Sequence, residues 1–527
     1  MSHILQFIGN TINPNNQADA LLALEELLSY KETDELFYNC GLLSANLGDF
    51  DKSLYYYAKA LDINPHYNQA LFDLGALNSH LGYYEKALYY ANLLIDIDPN
   101  YNNILMHLAN LYSNVGKHNL SLDTFNKAIA SNPHNLNLWA DFFLCLNYVD
   151  MGIEDRIVLR NKFSELLPRN NYTKPIERSD KIKIGYVSSD FRNHAVSYFT
   201  KGLITKHSKE KFDVYFYSLS SIEDSITQEF KTNGNYKDCS RLNTQELYNL
   251  IVDDNIHILI DLNGFTQSNR IELFLHNPAP IQITWLGFLN SLGIPQIQYK
   301  ITDVNLIHPE NEYYYSEKLI SLDNSLVYDP PSDFPDITEL PYNKNGFVTF
   351  GFFNNLKKLK HSVFDTWIDI FKNHSNCKLI MIKSKYSEYN EFIESYFNSK
   401  GFHNIEFKEE GNLYQLMEYM NQVDIALDPF PHSGGATTGH CLWMGVPVIT
   451  LEGTLEFERI SSSILKNVGL NDFVSKNQDS YIQIGSIIDF KRLEYIRSNI
   501  RNNFPNPNEI IKNLESKLIM IYDSHCQ

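Results

Sequence analysis

A glycine- and threonine-rich segment, DPFPHSGGATTGH (428–440), follows a short apolar run and precedes a stretch of helical character. Gly434 and Gly435 permit tight backbone geometry and close approach of a ligand. Thr437 and Thr438 add two hydroxyl groups where the helix is expected to begin. Unpaired amides in the first turn of a helix bind anions, so the segment predicts a pyrophosphate site. The alternative is a glycine-rich turn before a buried helix, because the segment contains neither GxxxxGK[ST] nor GxGxxG.

Strand-like and helix-like stretches alternate on both sides of this segment, which predicts parallel sheets covered by helices on both faces. The first lobe, 181–340, contains the strands KIKIGYV, FDVYFYS, IHILIDL, IQITWLG and KLISL. The second lobe, 341–527, contains VTFGFF, CKLIMIK, NIEFKE, VDIALDPF and PVITLEG. The proline-rich stretch VYDPPSDFPDITELPYNKNG is expected to connect the lobes. Ligands of such sheets bind beyond the carboxyl ends of the strands, so the loops after the strands are where chemistry is expected.

The first 150 residues contain a repeat of 34 residues. Three sets of positions keep this period: Pro65, Pro99 and Pro133; Gly48, Gly82 and Gly116; and Leu54, Leu88 and Leu122. The glycines are expected to end the first helix of each unit in a left-handed conformation, and the prolines to end the second helix. The pattern resembles the tetratricopeptide repeat, an α-solenoid whose concave face binds extended peptide. The alternative is an array that only scaffolds or dimerises. Residues 151–180, with Pro175, are expected to form a helical linker.

Charge and cysteine usage exclude several classes of protein. Asp and Glu total 63 against 44 Lys and Arg, a net charge of -19, which argues against a nucleic-acid partner. The six cysteines form no CxxC pair, which argues against a disulfide scaffold or a zinc site and fits a reducing cytoplasm. The N-terminus does not resemble a signal peptide, and no apolar run is long enough to predict a membrane span. We therefore expect a cytoplasmic protein.

Several blocks resemble the O-linked N-acetylglucosamine transferase and SPINDLY family. They are KIKIGYVSSDFRNHAVSYF, IHILIDLNGFTQSNR, NPAPIQITWLGF, VTFGFFNNLKKLK, LWMGVPVITLEG and ERISSSILKNVGL, in order between about 181 and 470. A preceding tetratricopeptide array is also typical of that family. The resemblance implies a GT-B fold, in which two Rossmann-like lobes face each other across a cleft. It further implies inverting, metal-independent transfer of a sugar, with N-acetylglucosamine favoured, from a UDP-sugar to Ser or Thr of a protein, with no cofactor required.

The resemblance also implies roles for individual residues. Lys358 would neutralise the diphosphate leaving group, Asn355 would contact the nucleotide or phosphate, and Thr437 would bond phosphate. The expected donor-binding positions are Asn355, Lys358, Gly435, Ala436, Thr437, Thr438, His440 and Arg459. The expected catalytic positions are His194, His257 and Lys358.

Such a transfer has two chemical requirements. Without a metal, a lysine, a helix N-terminus and hydroxyl donors must stabilise the departing diphosphate. The acceptor hydroxyl needs a base, and His194 could contribute because an imidazole titrates near neutrality. A water relay to Asp253 or Asp254, and proton uptake by the donor phosphate, are alternatives. Asp303 and Asp428 lie at strand ends, where structural capping is the favoured interpretation.

His440 occupies a position where relatives often have an acidic residue for the ribose hydroxyls. An imidazole forms hydrogen bonds, but not those of a carboxylate, so the identity of the nucleotide is left open and GDP-fucose is an alternative donor.

Two other functions are alternatives: a catalytically decayed tetratricopeptide binding scaffold, and a nucleotide-sugar enzyme that acts on a small molecule. The expected partner is a protein acceptor held in the repeat groove. Flagellin fits that role by analogy alone.

Overall fold

The computed structural model describes residues 16–169 and 176–526. Two predictions concern residues outside these ranges: that the first residues form no signal peptide, and that Pro175 lies in a linker. The chain divides into two compact units. The first consists of Met1–Pro133 and Ser384–Asn390, and the second of His134–Lys383 and Glu391–Gln527. No helix in the described part of the chain is long and apolar enough to cross a membrane.

The first unit contains antiparallel helix pairs that follow the 34-residue period. Its helices are α1 (Gln17–Tyr30), α2 (Asp34–Asn46), α3 (Phe50–Ile63), α4 (Asn68–His80), α5 (Tyr84–Ile97), α6 (Ile104–Asn114) and α7 (His118–Ser131). Gly48, Gly82 and Gly116 follow the first helix of three pairs with φ of 80°, 81° and 75°. Each therefore adopts the left-handed conformation that favours glycine, and the predicted helix-turn-helix repeat is confirmed.

The first lobe of the second unit contains a parallel sheet in the order β3-β2-β1-β4-β5-β6-β7. Its strands are β1 (Ile182–Ser188), β2 (Phe212–Ser218), β3 (Asn235–Asp238), β4 (Ile258–Asp261), β5 (Ile281–Thr284), β6 (Tyr299–Asp303) and β7 (Lys318–Leu322). Its helices are α10 (Ala195–Ile204), α11 (Ser225–Asn233), α12 (Thr244–Asp253) and α13 (Ile271–Leu275). The sequence patterns did not predict β3, and they indicated β6 only by placing Asp303 at a strand end. Strand β3 has no fully buried residue, so it lacks the apolar run that marks the central strands.

The second lobe contains a parallel sheet in the order β10-β9-β8-β11-β12-β13. Its strands are β8 (Val348–Phe352), β9 (Cys377–Ile382), β10 (Ile405–Lys408), β11 (Ile425–Leu427), β12 (Val448–Leu451) and β13 (Val474–Ser475). Its helices are α14 (Pro341–Asn345), α15 (His361–Phe371), α16 (Ser387–Ser399), α17 (Leu413–Met420), α18 (Ala436–Trp443), α19 (Ile460–Asn467), α20 (Gln478–Ser486) and α21 (Phe490–Asn499). All residues of β8 and β11 are buried, as expected of strands covered on both faces.

The final helix, α22 (Pro507–His525), packs against the first lobe, although its residues follow the second lobe in the chain. Glu515 accepts a hydrogen bond of 2.7 Å from the Ser208 amide, and the ring of Tyr522 lies 5.3 Å from that of His257. The segment 341–527 that the sequence assigns to the second lobe therefore includes one helix that packs with the first lobe.

Two helices join the repeats to the first lobe: α8 (Leu136–Leu146) and α9 (Ile153–Leu166). Phe143 on α8 stacks on Phe265, with ring centroids 5.3 Å apart. Phe163 on α9 lies edge-on to both rings and contacts Trp139 at 5.5 Å. Phe265 also contacts Phe288, and these two residues lie in the loops after β4 and β5. The aromatic cluster therefore fixes loops at the carboxyl edge of the first sheet.

The aromatic cluster predicts a strong core effect for one substitution. Phe163 is fully buried, so Phe163→Ala should lower the free energy of unfolding of the second unit by about 3–5 kcal/mol. Urea denaturation followed by tryptophan fluorescence measures this change. Val158→Ala on the same helix is the control, because Val158 is 65% exposed and should change stability by less than about 0.5 kcal/mol. Equal stabilities for Phe163→Ala and the wild-type chain would contradict the packing described.

Candidate active site between the two sheets

Buried polar contacts join the carboxyl edges of the two sheets. Ser463 at α19 donates to both carboxylate oxygens of Asp303, at 3.2 and 3.1 Å. Glu456, in the loop after β12, forms an ion pair of 3.0 Å with Lys300 of β6. Asp303 also accepts hydrogen bonds from the amides of Asn305 and Leu306, which confirms its predicted role as a structural cap. The lobes thus meet where ligands of parallel sheets bind.

Asp428 organises the glycine-rich loop after β11. Its carboxylate accepts hydrogen bonds of 2.8 Å from the Gly434 amide and from the Thr450 hydroxyl. A Cβ atom at Gly434 would lie 2.6 Å from Oγ1 of Thr438 and 2.8 Å from Asp428, so this position requires glycine. Burial raises the pKa of Asp428 to about 6, against hydrogen bonds from Ser461 and Thr450 that lower it. Asp428 is therefore a structural cap, as predicted.

The glycine loop leads directly into the first turn of α18. Gly435 is the N-cap of this helix, and Gly435, Ala436 and Thr437 are half-buried. The hydroxyl of Thr437 forms no hydrogen bond with another described residue. Thr438 differs, because its buried hydroxyl lies 2.7 Å from that of Ser461. Ala436 and Thr437 therefore leave groups available to an anion at the helix N-terminus, whereas Thr438 holds the loop against α19.

Lys358 lies beside this loop at the end of a short 3-10 turn, Leu356–Lys358. Its ammonium group donates to the carbonyl of Ser433 at 2.7 Å and to Oδ1 of Asn354 at 3.2 Å. Burial lowers the pKa of Lys358 to about 8, although the nearby Asp428 carboxylate acts in the opposite direction. The ammonium group thus binds the residue directly before the two glycines that precede α18.

Asn355, expected to contact the donor, is exposed and caps the 3-10 turn by accepting from the Lys357 amide at 3.0 Å. Its neighbour Asn354 instead contacts Lys358 and lies 3.5 Å from Asp428. The side chains of adjacent residues in an extended segment point to opposite sides, so Asn354 and Asn355 face different surroundings. Asn354 is the asparagine that the structure brings to the glycine loop.

His440 on α18 is buried against aromatic residues of the first lobe and of the connection between lobes. Its Nδ1 lies 2.6 Å from the hydroxyl of Tyr328, and its ring lies edge-on to that of Tyr198, 5.1 Å away. Burial lowers the pKa of His440 to about 3, so the imidazole is neutral. At the position where relatives often have an acidic residue, the chain therefore has an uncharged ring whose Nδ1 already has a partner.

Across the cleft, His194 is the N-cap of α10, one helical turn before Tyr198. Its Nδ1 lies 3.3 Å from the Val196 amide and 3.4 Å from the carboxylate of Asp190. Burial lowers the pKa of His194, while Asp190 raises it and Arg192 lowers it further. Because Tyr198 contacts His440, the N-terminal halves of α10 and α18 face each other across the cleft.

His257 does not lie in this cleft. It directly precedes β4, and its Nδ1 accepts a hydrogen bond of 3.1 Å from the amide of Lys183 at the start of β1. His194 follows the other end of β1, so the two histidines are separated by roughly 17 Å along the strand. A residue before a strand lies at the amino edge of the sheet, so the structure does not bring His257 to the edge at which His194 lies.

Asp253 and Asp254, the alternative residues for a water relay, also lie at the amino edge of the first sheet. Asp253 is the last residue of α12 and Asp254 is its C-cap, in the segment that leads into β4. Asp254 forms an ion pair of 2.6 Å with Lys237 and accepts from the Tyr217 hydroxyl at 2.7 Å. Its carboxylate is thus engaged at the amino edge, and the carboxylate nearest His194 is that of Asp190.

Comparison with known proteins decides the family. A model of glycosyl transferase family 41 matches residues 161–340 and 336–506, and tetratricopeptide repeat models match residues 34–67 and 103–135. The chain belongs to glycosyl transferase family 41. A variant of the Thermobaculum terrenum O-GlcNAc transferase superposes with a TM-score of 0.85, at 26% identity over 98% of this chain and 99% of that one. The predicted α-solenoid followed by two Rossmann-like lobes is thereby confirmed.

Two plant proteins are also similar to this chain. Probable UDP-N-acetylglucosamine--peptide N-acetylglucosaminyltransferase SPINDLY of Arabidopsis thaliana is 31% identical over 391 residues, 70% of this chain and 43% of the plant protein. The SPINDLY protein of Oryza sativa is 30% identical over 397 residues, 72% of this chain and 43% of its own length. The chain therefore spans less than half the length of these plant relatives.

Arg459, the remaining predicted donor-binding residue of this family 41 protein, is engaged by protein groups. Its guanidinium donates to the carbonyls of Asn305 and Gly453, both at 2.9 Å, and pairs with Glu452 at 2.9 Å. Glu452 also pairs with Lys466 and Lys476. Burial of Glu452 acts to raise its pKa, but the lysine hydrogen bonds outweigh burial and lower the pKa. Arg459 thus ties the loop after β12 to the first lobe.

This cluster predicts a pH-dependent loss of stability. Glu452→Gln should lower the free energy of unfolding by about 3 kcal/mol at neutral pH, because it leaves the buried Arg459 guanidinium and the half-buried Lys466 ammonium group without their carboxylate. Because the fold lowers the pKa of Glu452, the ionised carboxylate stabilises the fold at pH values above 4.5, its ordinary pKa. This contribution is lost as the pH falls below 4.5 and the carboxylate becomes protonated. Denaturant titrations between pH 3.5 and 8 should therefore show the difference from wild type shrink at acidic pH. The exposed Glu339→Gln is the control, and a pH-independent difference would contradict the mechanism.

Proposed function

We propose that the chain is a protein O-glycosyltransferase that transfers N-acetylglucosamine from a UDP-sugar to the hydroxyl of Ser or Thr. One observation carries the proposal: the Lys358 ammonium group lies beside the two glycines that open the first turn of α18. A cation, free backbone amides and the Thr437 hydroxyl then converge at one end of a parallel sheet. This combination suits a diphosphate whose negative charge increases as it leaves.

The chemistry follows from this arrangement. As the acceptor oxygen bonds to the anomeric carbon, the bond from that carbon to the diphosphate breaks, and the diphosphate leaves with the electron pair. Lys358 and the start of α18 stabilise the charge that develops there. In free protein, Lys358 has the Asp428 carboxylate nearby but donates directly only to neutral oxygens. Its charge is therefore available to the leaving group.

The names of two kinds of relative support the choice of sugar. The similar plant proteins are described as probable N-acetylglucosaminyltransferases, and the structural neighbour is an O-GlcNAc transferase. Carrying this donor over to the present chain is part of the proposal, because His440 differs from the acid expected at the ribose. GDP-fucose is the alternative donor for the same site. The tetratricopeptide repeats support a protein acceptor, but the comparisons give no support for flagellin in particular.

A panel of donors on the full chain tests the proposal. UDP-N-acetylglucosamine should raise the apparent Tm more than GDP-fucose, because a ligand that binds only the native state stabilises it. Intact-mass spectrometry of a Ser- and Thr-rich peptide library should then show addition of N-acetylhexosamine. A higher Tm with GDP-fucose, together with transfer of fucose, would identify GDP-fucose as the donor. An unchanged Tm with every nucleotide sugar would favour a binding scaffold.

Lys358 provides a test of the leaving-group role. Lys358→Ala should reduce kcat on the order of 10²- to 10³-fold, the usual cost of removing one transition-state donor, with little effect on the fold. UDP affinity of the wild-type chain should be constant between pH 7 and about 8 and decline above it, as the amine loses its proton. Calorimetric titration of UDP should show no such decline for Lys358→Ala. Lys357→Ala is the neighbouring control, and equal pH profiles for all three proteins would remove Lys358 from the site.

A further inference from the structure

Asp190 differs from the other buried aspartates at strand ends in its hydrogen bonding. Asp261, Asp303 and Asp428 each accept two or more hydrogen bonds from backbone amides or hydroxyls. Asp190 follows β1 and its side chain is only 6% exposed, yet no amide or hydroxyl of the described residues donates to its carboxylate. Its charged neighbours are the His194 ring at 3.4 Å and the Arg192 guanidinium at 3.6 Å. Capping therefore does not explain this buried carboxylate.

The Nδ1 atom of His194 has two neighbours that require different protonation states. The Val196 amide can donate to it only when Nδ1 has a lone pair, which places the ring proton on Nε2. Asp190 can accept from it only when Nδ1 has the proton, which leaves the lone pair on Nε2. Only the second tautomer can take a proton at Nε2.

We propose that Asp190 is the positioning residue that keeps the ring proton of His194 on Nδ1, so that Nε2 accepts the proton of the acceptor hydroxyl. The inference rests on the proposed function and deepens it. The hydroxyl O–H bond breaks as its oxygen bonds to the anomeric carbon, and the proton goes to Nε2 of His194. The sugar–diphosphate bond breaks, and the diphosphate leaves with the electron pair near Lys358. The Asp190 carboxylate stabilises the imidazolium that forms.

The placement of the pair supports this role. His194 begins α10, and Tyr198 in the next turn contacts His440 of α18. The pair therefore lies across the cleft from the predicted diphosphate site, where a base for the acceptor must be. The side chain of His194 is 38% exposed, so substrate can reach the ring, whereas Asp190 is enclosed behind it.

Other charges near the ring act in known directions. Arg192 opposes protonation of His194 and Asp190 favours it. Asp224, the N-cap of α11, accepts a hydrogen bond of 2.5 Å from the amide of Asn193 and so anchors the same loop. Burial lowers the pKa of His194, which keeps the ring neutral and able to accept a proton at neutral pH.

A double-mutant cycle on the full chain tests the pair. Asp190→Asn should lower kcat on the order of 10²-fold with little change in KM for the donor, because the wrong tautomer is favoured. His194→Ala should lower kcat at least as much, and the double variant should be no slower than His194→Ala alone. Multiplicative losses, or an effect of Asp190→Asn on KM only, would overturn the proposal. Asp213→Asn is the control, because Asp213 is at the amino edge of the sheet, half-exposed, and should leave kcat unchanged.

A second measurement does not need activity. Nitrogen-15 spectra of histidine-labelled protein, with the His194 signals assigned from the His194→Ala variant, should show the proton on Nδ1 in the wild-type chain and on Nε2 in Asp190→Asn. An unchanged tautomer overturns the role of Asp190 whatever the reaction is. Failure of every nucleotide sugar in the donor panel, with the tautomer change observed, would instead reject the proposed function. Circular dichroism of each variant confirms that the fold is retained.

Discussion

The candidate site depends on the fixed meeting of two sheets, because neither lobe contains all of its groups. The Lys300–Glu456 ion pair and the Ser463–Asp303 hydrogen bonds are buried between the lobes. Burial raises the pKa of Glu456, although Lys300 opposes the shift, so this contact is costly to form. A buried ion pair contributes little net stability compared with apolar packing. It does penalise any arrangement that leaves one charge without its partner, and we infer that it holds His194 opposite α18.

The second constraint is electrostatic. Asp428 is buried next to Lys358, but its oxygens are occupied by the Gly434 amide and the Thr450 hydroxyl. It can therefore offset the lysine charge from nearby without binding the ammonium group directly. A carboxylate in a direct ion pair with Lys358 would compete with a diphosphate for the ammonium group. Without any nearby carboxylate, the buried positive charge would have no compensating negative charge. The observed geometry lies between these extremes, which is what a reversible anion site requires.

Sequence reasoning predicted the parts of the fold that depend on periodic patterns. The 34-residue repeat, the central apolar strands and the glycine loop before α18 all occur where the residue types indicate them. The polar edge strand β3 lacks an apolar pattern and was missed. Among site residues, Lys358 and Thr437 lie at the same glycine-rich loop, whereas Asn355, His257 and Arg459 form hydrogen bonds with protein groups elsewhere. Motif position specifies which loop a residue is in, but it does not specify whether the side chain meets a substrate or another protein group.

The boundary between the repeats and the catalytic lobes shows why contacts, rather than composition, define units. Composition and periodicity place the boundary at residue 150, since α8 resembles the last helix of an array. Yet the compact unit that contains both lobes begins at His134. Trp139 and Phe143 of α8 pack with Phe163 of α9 and with Phe265, which follows β4. A break at 150 would divide this core and release loops at the carboxyl edge of the first sheet. The helices that end the array therefore also hold the edge at which His194 and Asp190 lie.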